Sequence, residues 1–200
     1  GTEEFPIPFD ARRNGFTLGE GAALLMLEDA ALATARGAHV LAEITGHGSA
    51  YDLARGTVSQ QAMQAIARAM RLALQDAQMD PRDIACLSAS ANGSVLVDRH
   101  EAQAIATVFQ EGAHDLPVTA VKSMLGETLG ASGALQTVAL LAAMRDDVLP
   151  GIRHLEQVEE DFPLHRAGPC NQHVHLRNGL ISSVGVDGNC CALVITQWNG

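Results

Sequence analysis

The order of apolar patterns predicts an α/β fold, and three observations lead there. Short apolar runs of strand length alternate with segments repeating at three- and four-residue steps, the alternation that builds layers of sheet and helix. One such segment, residues 59–78, places Met63, Ile66, Met70, Leu74 and Ala77 on a single helical stripe. Near the end, apolar runs at 180–186 and 190–196 flank Asp187-Gly188, a strong hairpin signal. With 200 residues, 47% hydrophobic and 18% charged, the chain has material for a real core and is unlike a disordered sequence.

Taken in order, residues 1–15 read as loop, with Pro6, Pro8 and the turn-prone Arg13-Asn14-Gly15. Residues 21–27 are a short apolar run of a buried strand, but no neighbouring segment offers it a partner. Its sheet is expected to lie outside this chain. Residues 28–36 are Ala-rich and helical, with Gly37 as the stop. Residues 40–45 form a strand, and the 59–78 helix ends at Asp80-Pro81. Residues 84–88 form a buried strand. Asp98 followed by Glu101 reads as a capping box, opening a helix that carries Ala102, Ile105, Ala106 and Phe109 inward. Residues 118–121 and 148–152 are strands. Residues 132–144 are apolar on nearly every face, a helix expected to be buried on both sides.

Several function classes are excluded. The net charge of -10, with no basic cluster, argues against nucleic-acid binding. No apolar run approaches the ~20 residues that span a bilayer. GTEEFPIPFD has neither the basic start nor the apolar core of a signal peptide, so a cytoplasmic protein is expected. Cys86, Cys170, Cys190 and Cys191 lack metal-ligand spacing and read as reduced thiols, mostly in the core. His173 and His175 alternate on a strand without a third ligand, so no metal and no cofactor is expected.

Residues 8–29, PFDARRNGFTLGEGAALLMLED, resemble a signature of the condensing enzymes of fatty-acid and polyketide synthesis, the β-ketoacyl synthase family. Three more blocks carry the resemblance to residue 196. The family's N-A-H-G-T-x-T-x-x-G-D run aligns with residues 88–98, SASANGSVLVD, and its histidine falls on Ser90. The run K-S-x-x-G-H-x-x-G-A-x-G aligns with residues 122–133. Its lysine is kept as Lys122 and its histidine is replaced by Glu127. The run G-F-G-G-x-N aligns with residues 185–190, where Val186 stands for phenylalanine and Asp187 follows. The family's nucleophilic cysteine lies in an N-terminal half outside this sequence, and none of the four cysteines falls on it.

The resemblance implies a thiolase-like α-β-α-β-α layered fold. This chain would form about one half of it: residues 1–39 as the end of the N-terminal half with its linker helix, and residues 40–200 as the C-terminal half. It further implies a separate polypeptide supplying the N-terminal half, either encoded apart or released by cleavage. Without that half the 21–27 strand stays unpaired and the 132–144 helix partly uncovered.

In the family, two imidazoles donate hydrogen bonds to the oxyanion that grows as a malonyl thioester loses carbon dioxide. Loss of one such donor costs on the order of 10²–10³ in rate. Ser90 offers one weak donor, and an ionised Glu127 offers only acceptors. No residue of this chain is therefore expected to be catalytic for condensation. Glu127 has three readings: partner to Lys122, solvent-facing carboxylate, or protonated donor in a dry pocket. The family glutamate that often pairs with the lysine falls on Gln136. Ser90 reads as a small pocket-lining residue, Val186 and Asp187 as pocket or gating positions, and Gly130 and Gly133 as helix-packing glycines.

The function most in keeping with these replacements is a chain-length-factor-type subunit. It would pair with an active ketosynthase as a heterodimer, serve an acyl carrier protein and shape the acyl pocket. The alternative is an acyltransferase of altered chemistry with Glu127 as general base.

Overall fold

The computed structural model describes residues 5–53, 60–164 and 167–198. In chain order its elements are α1 (Ala30–Ala35), β1 (Ala42–Tyr51), α2 (Gln60–Asp76), β2 (Cys86–Ser88), α3 (Val95–Phe109), β3 (Val118–Thr119) and α4 (Lys122–Leu125). Then follow α5 (Ser132–Asp146), β4 (Val148–Leu149), β5 (Gln172–His173), β6 (Asn178–Val184) and β7 (Asn189–Gln197). The expected start of the long helix, residue 59, lies outside the described residues, as do residues 1–4.

Five strands form one mixed sheet in the order β1-β7-β6-β2-β3. The β6–β7 hairpin is antiparallel, as its Asp187-Gly188 turn predicts, with Gly188 at φ 96. β1 runs antiparallel to β7, whereas β2 is parallel to both β6 and β3. Because side chains alternate across a strand, the sheet has two apolar faces. Leu87, Leu180 and Val194 meet Ile66, Met70 and Leu74 of α2 and Ile105 of α3 on one face. Cys86, Ile181 and Ile195 meet Leu140, Ala143 and Met144 of α5 on the other.

α2 lies unusually close to β1. A Cβ on Gly48 would sit 2.0 Å from the Ala69 carbonyl oxygen, and one on Gly46 would sit 2.1 Å from that of Ala73. Glycine on the strand and alanine on the helix are what permit this approach.

Four expectations need correction. Residues 21–27 form no strand among the described residues. They lie in no helix or strand, with Leu24 and Met26 more than four-fifths exposed, and no described residue pairs with them. α5 is buried on one side only: Leu140 and Met144 face the sheet, while Val138 is exposed. Asp98 caps nothing, since α3 already begins at Val95 after Ser94, and both Asp98 and Glu101 are wholly buried. Cys170 is exposed and Cys191 half-buried, leaving Cys86 and Cys190 as core thiols. Burial raises the pKa of both to about 12.

Candidate functional site: a sealed ion pair at the end of the sheet

Parallel strands β2 and β3 end side by side, and the turns that follow them carry Ser90 and Lys122. This shared end of the sheet is where the aligned blocks meet. Lys122 opens the short helix α4, which stops at Gly126 with φ 74, and Glu127 follows. Neighbouring backbone fixes this turn. The Glu127 amide donates to the Thr17 carbonyl at 2.8 Å, and the Glu127 carbonyl accepts from the Gly19 amide at 3.0 Å. A Cβ on Gly19 would lie 1.9 Å from the Leu125 carbonyl oxygen, so a glycine at this position allows the strand-like approach.

Glu127 faces inward and pairs with Lys122, Oε2 to Nζ, at 2.8 Å, with both side chains nearly buried. Three more donors complete its shell. Asn92 Nδ2 reaches Oε2 at 2.9 Å, the Leu129 amide reaches Oε1 at 2.9 Å, and Ser132 Oγ reaches Oε1 at 2.7 Å. Burial alone would raise the Glu127 pKa, but the Lys122, Asn92 and Ser132 bonds together outweigh it and hold the carboxyl below its usual range. Of the three readings of Glu127, the lysine pairing is the one observed. The carboxylate is neither solvent-facing nor a protonated donor.

Ser90 is 1% exposed. Its Oγ accepts from Lys122 Nζ at 3.1 Å and from the Val184 amide at 3.0 Å. Its own amide donates to Glu101 Oε1 at 2.9 Å. Burial raises Glu101 to about 7, against the pull of the Ser182 hydroxyl and the Ser90 amide. Burial raises Asp98 to about 6, although it accepts from the backbone amides of Phe9, Asn92 and Gly93. Gln136 Nε2 donates to the carbonyls of Ala89 at 2.9 Å and Ser182 at 3.1 Å, with no hydrogen bond to Lys122. Glu127 has thus taken the lysine pairing that the resemblance assigned to position 136.

Val186 and Asp187 form the β6–β7 turn. Val186 is 79% exposed, and the Asp187 carbonyl accepts from Tyr51 Oη at 2.8 Å. Val184 and Ser90 connect this turn to the ion pair. Two clefts open elsewhere, one beside Gln157 and Glu159 and one beside Arg82 and Phe109, and none of the site residues lines either. Asn92, Ser132 and Val184 complete the network and were not singled out from sequence, and Glu101, also part of it, was read only as half of a capping box. Asn92 stood inside an aligned block, but its bond spans 35 positions, and no local spacing signals that. Gly133 faces Ser183 at ordinary contact distance, whereas Gly130 looks into open space and is not a packing glycine.

The acidic signature also has a structural use. Asp10 accepts from Arg12 and from the amides of Glu156 and Gln157, which overcome its burial and hold its carboxyl far below the usual range. Arg13, buried against Phe162, pairs with Glu159 at 2.6 Å. These contacts pin residues 9–13 to the 155–159 loop beside the site.

Comparison with known proteins agrees with this arrangement. Residues 41–156 match the family described as the beta-ketoacyl synthase, C-terminal domain. The chain is 41% identical over 160 residues to a putative polyketide beta-ketoacyl synthase 1 of Streptomyces cyaneus, covering 78% of this chain and 37% of that protein. It is 31% identical over 191 residues to a 3-oxoacyl-[acyl-carrier-protein] synthase 2 of Staphylococcus aureus, covering 96% of this chain and 46% of that protein. The chain thus spans less than half the length of these curated relatives. Among solved structures, the ishigamide ketosynthase/chain length factor superposes with TM-score 0.91 at 33% identity, over 100% of this chain and 48% of that one. A type II PKS acyl-carrier protein complex with its ketosynthase, bound to the hexaketide, gives TM-score 0.92 at 28% identity, over 99% of this chain and 49% of that one. With its mixed sheet, its three aligned blocks gathered at one sheet end and this family match, the chain belongs to the beta-ketoacyl synthase family, on the thiolase-like ketosynthase fold.

Proposed function

We propose that this chain is part of a non-catalytic ketosynthase-like subunit, a chain-length factor. It would pair with an active ketosynthase in type II polyketide or related chain elongation and shape the pocket that receives the growing acyl chain. The observation that carries this reading is the sealing of Glu127. Four donors of this chain occupy both its oxygens, one of them a buried ammonium, where the family places an imidazole donor. A carboxylate so held neither donates to an enolate oxygen nor tolerates a malonyl carboxylate nearby. The same saturation speaks against an acyltransferase with Glu127 as general base, since a base needs a free lone pair facing substrate. Ser90 is equally poor as a nucleophile, because its oxygen already accepts from an ammonium and an amide.

Likeness to the ishigamide ketosynthase/chain length factor supports the pairing, and the carrier-protein complex among the similar structures supports service to an acyl carrier protein. Residues 1–39 are assigned to the edge of the N-terminal half and its linker, and residues 40–200 to the C-terminal half. The remainder of the layered body would cover the exposed 21–27 run. The test is reconstitution with a ketosynthase and a malonyl-loaded carrier protein. The subunit should be required for product of defined length, and Ser90→His with Glu127→His should give none in the absence of the ketosynthase. Product from the unaltered subunit without a ketosynthase would refute the reading.

A further inference from the structure

We infer that Ser90 is a positioning residue: its hydroxyl carries the placement of the Lys122–Glu127 pair to the 185–188 turn and so helps set which acyl chain length the pocket accepts. The length part of this inference rests on the pocket-shaping reading above, whereas the positioning part stands on geometry alone.

The register of the sheet leaves a gap that Ser90 fills. The β2–β6 ladder ends at Ser88 opposite Ile181. Val184 is the last β6 residue paired with β7, opposite Cys190. Its amide lies beyond the end of β2, where the ladder supplies no acceptor. Ser90 Oγ accepts that amide at 3.0 Å, and Gln136 ties Ala89 to Ser182 alongside. Side chains thus extend the β2–β6 pairing past the last rung. The turn begins at the next residue, Gly185, whose amide donates to the Asn189 carbonyl at 2.7 Å. On its other flank the turn is held by Tyr51 Oη on the Asp187 carbonyl and by the Asp52 amide on the Gly188 carbonyl, each at 2.8 Å.

Ser90 Oγ also accepts from Lys122 Nζ at 3.1 Å, so a single oxygen joins the ion pair to the turn. A small residue that only filled space would not need both of its acceptor directions occupied. Removing the oxygen leaves a half-buried amide without its acceptor and strips the ammonium of one partner, and the loss falls on the residue that enters the turn.

The experiment uses the complete subunit in complex with its ketosynthase and carrier protein, as the unaltered protein and as Ser90→Ala, Ser90→Thr and Ser90→Cys. Amide hydrogen exchange over residues 182–188 is read beside product length. Ser90→Ala should speed exchange there by about tenfold, the factor matching a lost hydrogen bond of ordinary strength, while residues 192–195 stay protected. It should also broaden product lengths, and Ser90→Thr should restore both. If Ser90→Ala does not fold, Ser90→Cys, a weak acceptor of similar size, should show the same local change to a smaller degree. Unchanged exchange at 182–188, or a uniform rise across both strands, overturns the positioning role. A local rise with unchanged product lengths keeps the positioning role and overturns the part of Ser90 in setting chain length, while the pocket-shaping reading itself falls only if the unaltered subunit makes product without a ketosynthase.

Discussion

Four donors converge on the Glu127 carboxylate, and that convergence decides what the residue does. A buried ion pair is a poor source of net stability, but removing one partner strands the other charge. Glu127→Gln should therefore cost about 3–5 kcal/mol, seen as a melting temperature lower by roughly 6–20 °C for a chain of this size. The aligned block places Glu127 five residues beyond Lys122 and leaves the pairing as one of three readings, and the folded turn selects it. Asn92 and Ser132 were not legible, because their bonds depend on where separate loops meet. Glu101 and Asp98 make a second prediction. Their folded pKa values, about 7 and about 6, lie above the usual range of an unfolded carboxyl. Between the unfolded carboxyl range and these values the folded state holds more protons than the unfolded one, so their contribution to stability is lost as pH rises from that range through 6 and 7. Glu127 and Glu159, with lowered pKa values, act in the opposite sense at more acid pH. Glu101→Gln should flatten the decline in melting temperature between pH 5 and 8, and an unchanged slope would remove Glu101 from this account.

Elements with strong internal period were easy to read, and those defined by neighbours were not. α2 and the β6–β7 hairpin carry their own patterns, a helical stripe and an Asp-Gly turn, and both stand where expected. Residues 98–101 misled because a capping-box spacing also fits two carboxylates turned inward to bind loop amides. Residues 21–27 have strand composition, yet a strand exists only when another strand bonds to it. The β1–α2 contact yields a further prediction. Gly48→Ala puts a Cβ against the Ala69 carbonyl and should cost at least about 1–3 kcal/mol by chemical denaturation. At the turn, Val186→Phe adds bulk at an exposed position and should alter product length without lowering the melting temperature.

The molecule as a whole presents unfinished surface. Leu18, Leu24, Met26, Leu27 and Leu32 are each more than three-fifths exposed, along one stretch that the fold leaves extended or at its edge. Apolar exposure of this kind marks an interface. Residues 1–200 expressed alone should self-associate in sedimentation, and co-expression with the complementary half of the layered body should yield a soluble complex. A stable, well-folded monomer would contradict that. The central claim is that the chain shapes a pocket and performs no condensation of its own. The most direct test is product mass from a system holding the complete subunit, a ketosynthase and malonyl-loaded carrier protein, with the ketosynthase included or omitted. The account predicts a product of defined length only when both proteins are present, and none from the subunit alone even as Ser90→His with Glu127→His. Product from the unaltered subunit without a ketosynthase would contradict it and make the Lys122–Glu127 pair a catalytic centre.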